Sequence, residues 1–106
     1  MDRKKELKEQ YKQMRPEMGI FQVKSKVSNK ILLDTSQNLK GYINRTRFQL
    51  NAGSHPNVEL QREWKEEGED SFIIEILEIL EYDKDESKTD YKEELEVMKY
   101  VWKEKL

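Results

Sequence analysis

One histidine, His55, is the chain's only imidazole, and there is no cysteine. Thiol nucleophiles, Cys-ligated zinc and disulfide frameworks are therefore excluded, and no two histidines can stand at metal-ligand spacing. His55 lies in the segment Ser54-His55-Pro56, with no Ser or Cys nucleophile motif around it, and the chain has no Gly-rich phosphate loop. The better candidates among the charged residues are Lys40, Arg45 and Arg47, on the helix that follows the hairpin. With His55 they form the candidate nucleic-acid-binding set, because guanidinium and ammonium groups neutralise phosphates; solvation at a surface is the plainer use of the same residues. The many carboxylates of 59–96 read as a solvent-facing charge run before they read as a metal site.

These groups belong to a chain of 106 residues and 12.8 kDa, the size of one domain. Charged residues make up 40% of it and hydrophobic residues 35%, a balance that leans toward disorder; two Trp, five Tyr and three Phe offset it by offering large apolar surfaces to a core. The net charge of −2 conceals an asymmetry: residues 1–58 carry +7, residues 59–96 carry −11 and the last ten carry +2. Such a chain can offer a basic face to phosphates or pair its basic and acidic faces internally. No apolar run approaches a membrane span, residues 1–15 lack a signal-peptide core, and the absence of Cys fits a reducing compartment. These features set the expectation of a cytoplasmic protein with no membrane partner.

The elements that must position the candidate groups follow from periodicity. Leu7, Tyr11 and Met14 form a narrow stripe on an otherwise charged helix at 1–15, which Pro16 and Gly19 stop. Residues 20–24 and 30–34 read as a hairpin turning at Ser28-Asn29, apolar enough to predict burial on both faces. Asn38 caps a helix from Leu39 whose inward side is Leu39, Ile43 and Leu50, with Thr46 or Arg47 between, and Gly53 ends it. Pro56 discourages helix at His55, Asn57 caps a second helix carrying Leu60 and Trp64 on one face, and Gly68 closes it. In residues 71–77, Phe72, Ile74 and Ile76 share a face at period two, which predicts a central strand. A polar loop at 83–90 precedes a last helix patterned by Tyr91, Leu95, Met98 and Trp102.

This order of elements carries a series of spaced residues. They are Gly19-Ile20-Phe21, Leu32-Leu33-Asp34 eleven residues on, Asn38-Leu39-Lys40, His55, Glu59-Leu60-Gln61, Gly68-Glu69, Phe72, Ile76-Leu77-Glu78 and Trp102. Together they resemble the GIY-YIG nuclease domain of homing-endonuclease type, over about residues 18–106. The resemblance implies an α/β (α+β) domain, a small three-stranded antiparallel sheet flanked by helices, preceded here by the extra helix at 1–15. It also implies cleavage of DNA phosphodiesters with one divalent metal.

Carried over position by position, the resemblance implies that the reactive groups have been replaced. The tyrosine closing the family's first motif falls at Phe21, which lacks the hydroxyl. The tyrosine that opens the second motif and activates the attacking water falls at Leu32, whose alkyl group moves no proton. The motif's closing glycine falls at Asp34, which adds bulk and a charge that repels phosphate. The phosphate-clamping arginine falls at Tyr42 and its partner, His or Tyr in relatives, at Thr46, so the positive charge is lost. The metal-holding glutamate, three residues before an aromatic, falls at Lys99 before Trp102, where an ammonium repels a cation. His55 alone matches, as the loop histidine of the homing type. The expectation is a catalytically silent domain without a cofactor, binding DNA or another protein, whose former site is closed by an Asp34–Lys99 ion pair. The alternative is an active metal-dependent DNA endonuclease using Mg²⁺ or Mn²⁺ at a relocated site built from His55 and carboxylates of the acidic half.

Overall fold

The computed structural model describes residues 15–106. The helix expected at 1–15 lies outside them except for Arg15. The described chain runs β1 (Met18–Ser25), β2 (Ile31–Ser36), α1 (Leu39–Ala52), α2 (Val58–Glu67), a 3₁₀ turn (Glu69–Ser71), β3 (Phe72–Leu80) and α3 (Lys92–Lys105). The strands form one antiparallel sheet in the order β2-β1-β3. Among the described residues no helix is long and apolar enough to cross a membrane.

The hairpin turns where expected. Asn29 adopts a left-handed φ of 63°, which its short polar side chain tolerates, while Ser25 Oγ accepts the amides of Val27 and Ser28. β1 is the strand buried on both faces: Met18, Ile20 and Phe21 are fully buried and Val23 nearly so. On one face Phe21 and Val23 pack with Leu39 and Leu50 of α1, Trp64 of α2 and Phe72 of β3. On the other, Ile20 and Leu33 meet Met98 of α3, and Met18 meets Tyr91 and Leu95. The sheet is therefore the middle layer between α1/α2 and α3. Each fully buried apolar side chain on β1 contributes on the order of 1.5–3 kcal/mol of transfer free energy. Gly19 is required by the same crowding, since a Cβ there would lie 2.0 Å from the carbonyl oxygen of Glu78.

Two expectations are corrected. Burial on both faces holds for β1 but not for β2, whose first residue, Ile31, is exposed and whose last three are half-buried. β3 is an edge strand, not the central one. Its apolar run reflects partial cover on each face, and Ile73, Ile76 and Ile79 stay 40–45% exposed. Phe72, Ile74 and Ile76 do share a face, but the pairing then shifts: Phe21 faces Ile76 while Ile20 faces Glu78, so Leu77 is an extra residue on β3. The bulge turns Glu78 to the α3 side, where its carboxylate accepts the Trp102 indole N–H at 2.8 Å.

Both helix starts and stops follow the sequence signals. Asn38 Oδ1 accepts the Gly41 amide at 3.1 Å and Asn57 Oδ1 the Leu60 amide at 3.0 Å. Gly53, at φ 77°, ends α1 in the left-handed conformation.

Candidate functional site

The site is assembled at the β2 edge of the sheet. Pairing places Asp34 beside Phe21 and Leu32 beside Val23, with side chains toward α1 and α2. Phe21 is in the core, and Leu32, partly buried, packs against it as an apolar wall. Asp34 is the polar residue that emerges beyond that wall. α1 brings Tyr42 over it: the ring meets Phe21 edge-on, with centroids 5.7 Å apart, and its hydroxyl donates to Asp34 Oδ2 at 2.6 Å. The other carboxylate oxygen, Oδ1, accepts the Thr35 amide at 2.9 Å. Lys99 reaches round the edge strand from α3 on the opposite layer, and its Nζ stands 4.0 Å from Oδ1. The expected Asp34–Lys99 pair is thus present at the outer limit of ion-pair distance, and the shorter bond is to Tyr42. Asp34 ties both helical layers to one sheet edge.

The electrostatics follow from this geometry. The hydrogen bond to Asp34 pushes the Tyr42 hydroxyl up to about 12, with burial and the carboxylate's charge acting the same way. At pH 7 about one Tyr42 hydroxyl in a hundred thousand is ionised, so it is a donor and not a base.

His55 enters from the loop between α1 and α2. Its amide donates to Gln61 Oε1 at 2.8 Å, and Gln61 Nε2 donates to the Leu50 carbonyl at 2.9 Å, which holds the loop against the end of α1. Its Nδ1 accepts the Asn57 amide at 3.0 Å. Burial pushes the imidazole pKa down, opposed by the negative charge of Asp34, and the ring is neutral at pH 7. In a neutral ring whose Nδ1 accepts, the proton resides on Nε2. His55 therefore presents an N–H donor, and its one lone pair is engaged by the backbone.

The remaining expected residues separate. Thr46 is buried against the core and is the inward residue left open between it and Arg47. Arg47 instead reaches Glu69, with Nε 3.4 Å from the carboxylate, on the β3 flank. Lys40 is seven residues from Arg47 and shares that flank. Arg45, three residues after Tyr42, lies on the site's flank, close enough for its charge to act on the Tyr42 hydroxyl. The expected basic set is therefore split across two sides of one helix. Asn57 and Gln61 are the positioning residues that the sequence reading did not assign to His55; their legible signal is the cap Asn57 followed four residues later by a side-chain amide.

No family model matches the chain, and no curated protein matches it in sequence. Among solved structures, the catalytic domain of the homing endonuclease I-TevI matches its fold with a TM-score of 0.68 and 25% identity, over 84% of this chain and 87% of that one. A point mutant of the same catalytic domain of this intron endonuclease matches with the same TM-score and 24% identity, over 85% and 84%.

Proposed function

The chain carries the GIY-YIG catalytic-domain fold, and from that premise we propose that it is a non-cleaving module that binds nucleic acid. The observation that carries the reading is Asp34, a carboxylate whose two oxygens are taken by Tyr42, Thr35 and, at longer range, Lys99. Metal-assisted hydrolysis needs a group to take a proton from water, a cation to stabilise the transition state and oxygen donors for the metal. At the matching positions Leu32 moves no proton, Tyr42 stays protonated, and Lys99 places an ammonium where a divalent ion would sit. This donor set does not fit Mg²⁺ or Mn²⁺. What remains suits phosphate oxygens: the Nε2–H of His55 and the Arg45 guanidinium can each donate, and Lys99 offsets the negative charge of Asp34 beside them.

A relocated nuclease site would draw on His55 and the acidic half. His55 has no free lone pair to act as base, and three of the carboxylates there are engaged elsewhere. Glu63 accepts Ser25 and Ser28, Glu59 pairs with Lys30, and Glu94 pairs with Lys88. Among the described residues no three His, Asp or Glu side chains gather in a way that could hold a metal. The deciding experiment incubates the full chain with plasmid and with short DNA in Mg²⁺ or Mn²⁺ and reads cleavage and binding together. Salt-sensitive binding with intact DNA supports the proposal. Metal-dependent nicking that His55→Ala abolishes would replace it with the relocated nuclease, and absence of binding at low salt would refute it.

A further inference from the structure

We infer that the solvent face of α1 is a platform for unpaired nucleotides, with Phe48 stacking a base and Arg45 holding the neighbouring phosphate. The inference rests on the nucleic-acid reading above and specifies its ligand.

Three observations converge on this face. Phe48 is 73% exposed, a phenyl ring directed at solvent from the middle of a helix. Its helical neighbours three and four residues away are Asn44, Arg45, Asn51 and Ala52, so the only apolar group of the helix beside the ring is the Ala52 methyl. α1 also contains no Asp or Glu, although it carries Lys40, Arg45 and Arg47, whereas α2 and α3 each carry four glutamates. Of the other strongly exposed apolar residues on helices, Val58 stands next to Glu59, Val97 next to Glu96, and Tyr100 between Glu96 and Glu104, four residues away on either side. A polyanion is therefore admitted at Phe48 and repelled at Val58 and Val97. Finally, Arg45 makes no ion pair among the described residues. By helical spacing it lies between Tyr42 and Phe48, which joins the platform to the site at the β2 edge.

The ring selects single strands. In a duplex the base faces are stacked on one another and offer a phenyl group only edges and methyls, whereas an unpaired base offers its whole π-face. The side-chain amide of Asn44 flanks the ring and can bond base edges, whereas that of Asn51 is turned to the core, its Oδ1 accepting the Trp64 indole N–H at 2.9 Å. An exposed aromatic beside a cation, on a helix without acids, is the arrangement that sequence-tolerant single-strand binding uses.

The test measures fluorescence anisotropy of a labelled single-stranded DNA oligonucleotide and of its blunt duplex, titrated with the full chain at two salt concentrations. The expected result is a preference for the single strand. Phe48→Leu keeps an apolar side chain but loses the π-face, and it lowers single-strand affinity about tenfold or more while leaving duplex binding unchanged. Phe48→Trp retains single-strand affinity, and Arg45→Gln weakens both and reduces the salt slope by about one. Phe48 is exposed, so the melting temperature of Phe48→Leu stays at the wild-type value and a loss of binding is not a loss of fold. A duplex preference, or single-strand binding indifferent to Phe48→Leu, overturns the platform and leaves the nucleic-acid reading standing. No binding to either probe overturns both.

Discussion

The two edges of the sheet are built in opposite ways. At the β2 edge a single carboxylate, Asp34, takes a hydroxyl from one helical layer and faces an ammonium from the other, so the edge is closed by polar contacts. At the β3 edge Glu78 takes the Trp102 indole N–H from one layer only; Ile73, Ile76 and Ile79 remain 40–45% exposed, and among the described residues the ion pair nearby, Arg47 with Glu69, joins α1 to the 3₁₀ turn. A chemically reactive edge needs side chains with free lone pairs and free charge aimed at a common point. At the β2 edge those valences are consumed within the protein. Asp34 and Tyr42 satisfy one another, so the hydroxyl proton and one carboxylate oxygen are turned inward.

The largest perturbation removes what both edges share. Phe21→Ala hollows the fully buried centre of β1 and is expected to lower the unfolding free energy by about 3–5 kcal/mol in urea denaturation. A loss under about 1 kcal/mol would mean that the two faces do not depend on β1.

Tyr42→Phe follows, at about 1 kcal/mol near neutral pH, since it deletes one bond to a half-buried carboxylate. This bond has a pH signature. The folded-state value of about 12 exceeds the ordinary 10, so the stabilisation is complete below pH 10 and is lost as pH rises through 12. The stability gap between wild type and Tyr42→Phe is therefore expected to shrink between pH 10 and 12. A gap that widens there reverses the assignment.

Lys99→Met and Arg47→Met test whether the edges differ in their ion pairs. Both pairs are partly solvated, at 4.0 and 3.4 Å, and each variant is expected to change stability by less than about 1 kcal/mol. If Arg47→Met costs clearly more than Tyr42→Phe, the contrast between a closed and an open edge fails.

The smallest effect is spectroscopic. His55 is the only histidine, so one imidazole titrates in NMR; its midpoint is expected below the ordinary 6.5, with the neutral proton on Nε2. A proton on Nδ1 would return the lone pair to the site and with it the case for His55 as a base.

Much of the fold was legible in the residues. Asn38, Gly53, Asn57 and Gly68 mark helix ends by local hydrogen bonding and local dihedral angles, which need nothing from the rest of the chain. The turn at Asn29 and the face shared by Phe72, Ile74 and Ile76 were equally local. The β3 edge position was not legible, because an apolar run records burial without saying whether strands or helices provide it, and the bulge at Leu77 has no sequence mark. The site divided in the same way. Spacing placed Phe21, Leu32, Asp34, Tyr42 and Lys99 in the same region through the resemblance, yet Lys40, Arg45 and Arg47 looked like one basic group until helical rotation separated them.

The sequence by itself determined which chemical groups exist and where the local elements start and stop, because caps, turns and periodicity are written over a few adjacent residues. Only the tertiary structure decided which lone pairs and charges are free. The engagement of Asp34 by Tyr42 and Lys99, of Arg47 by Glu69 and of His55 Nδ1 by Asn57 depends on distances of a few ångströms between groups. Packing of α1 and α3 against opposite faces of one sheet sets the first of these, and no local pattern encodes it.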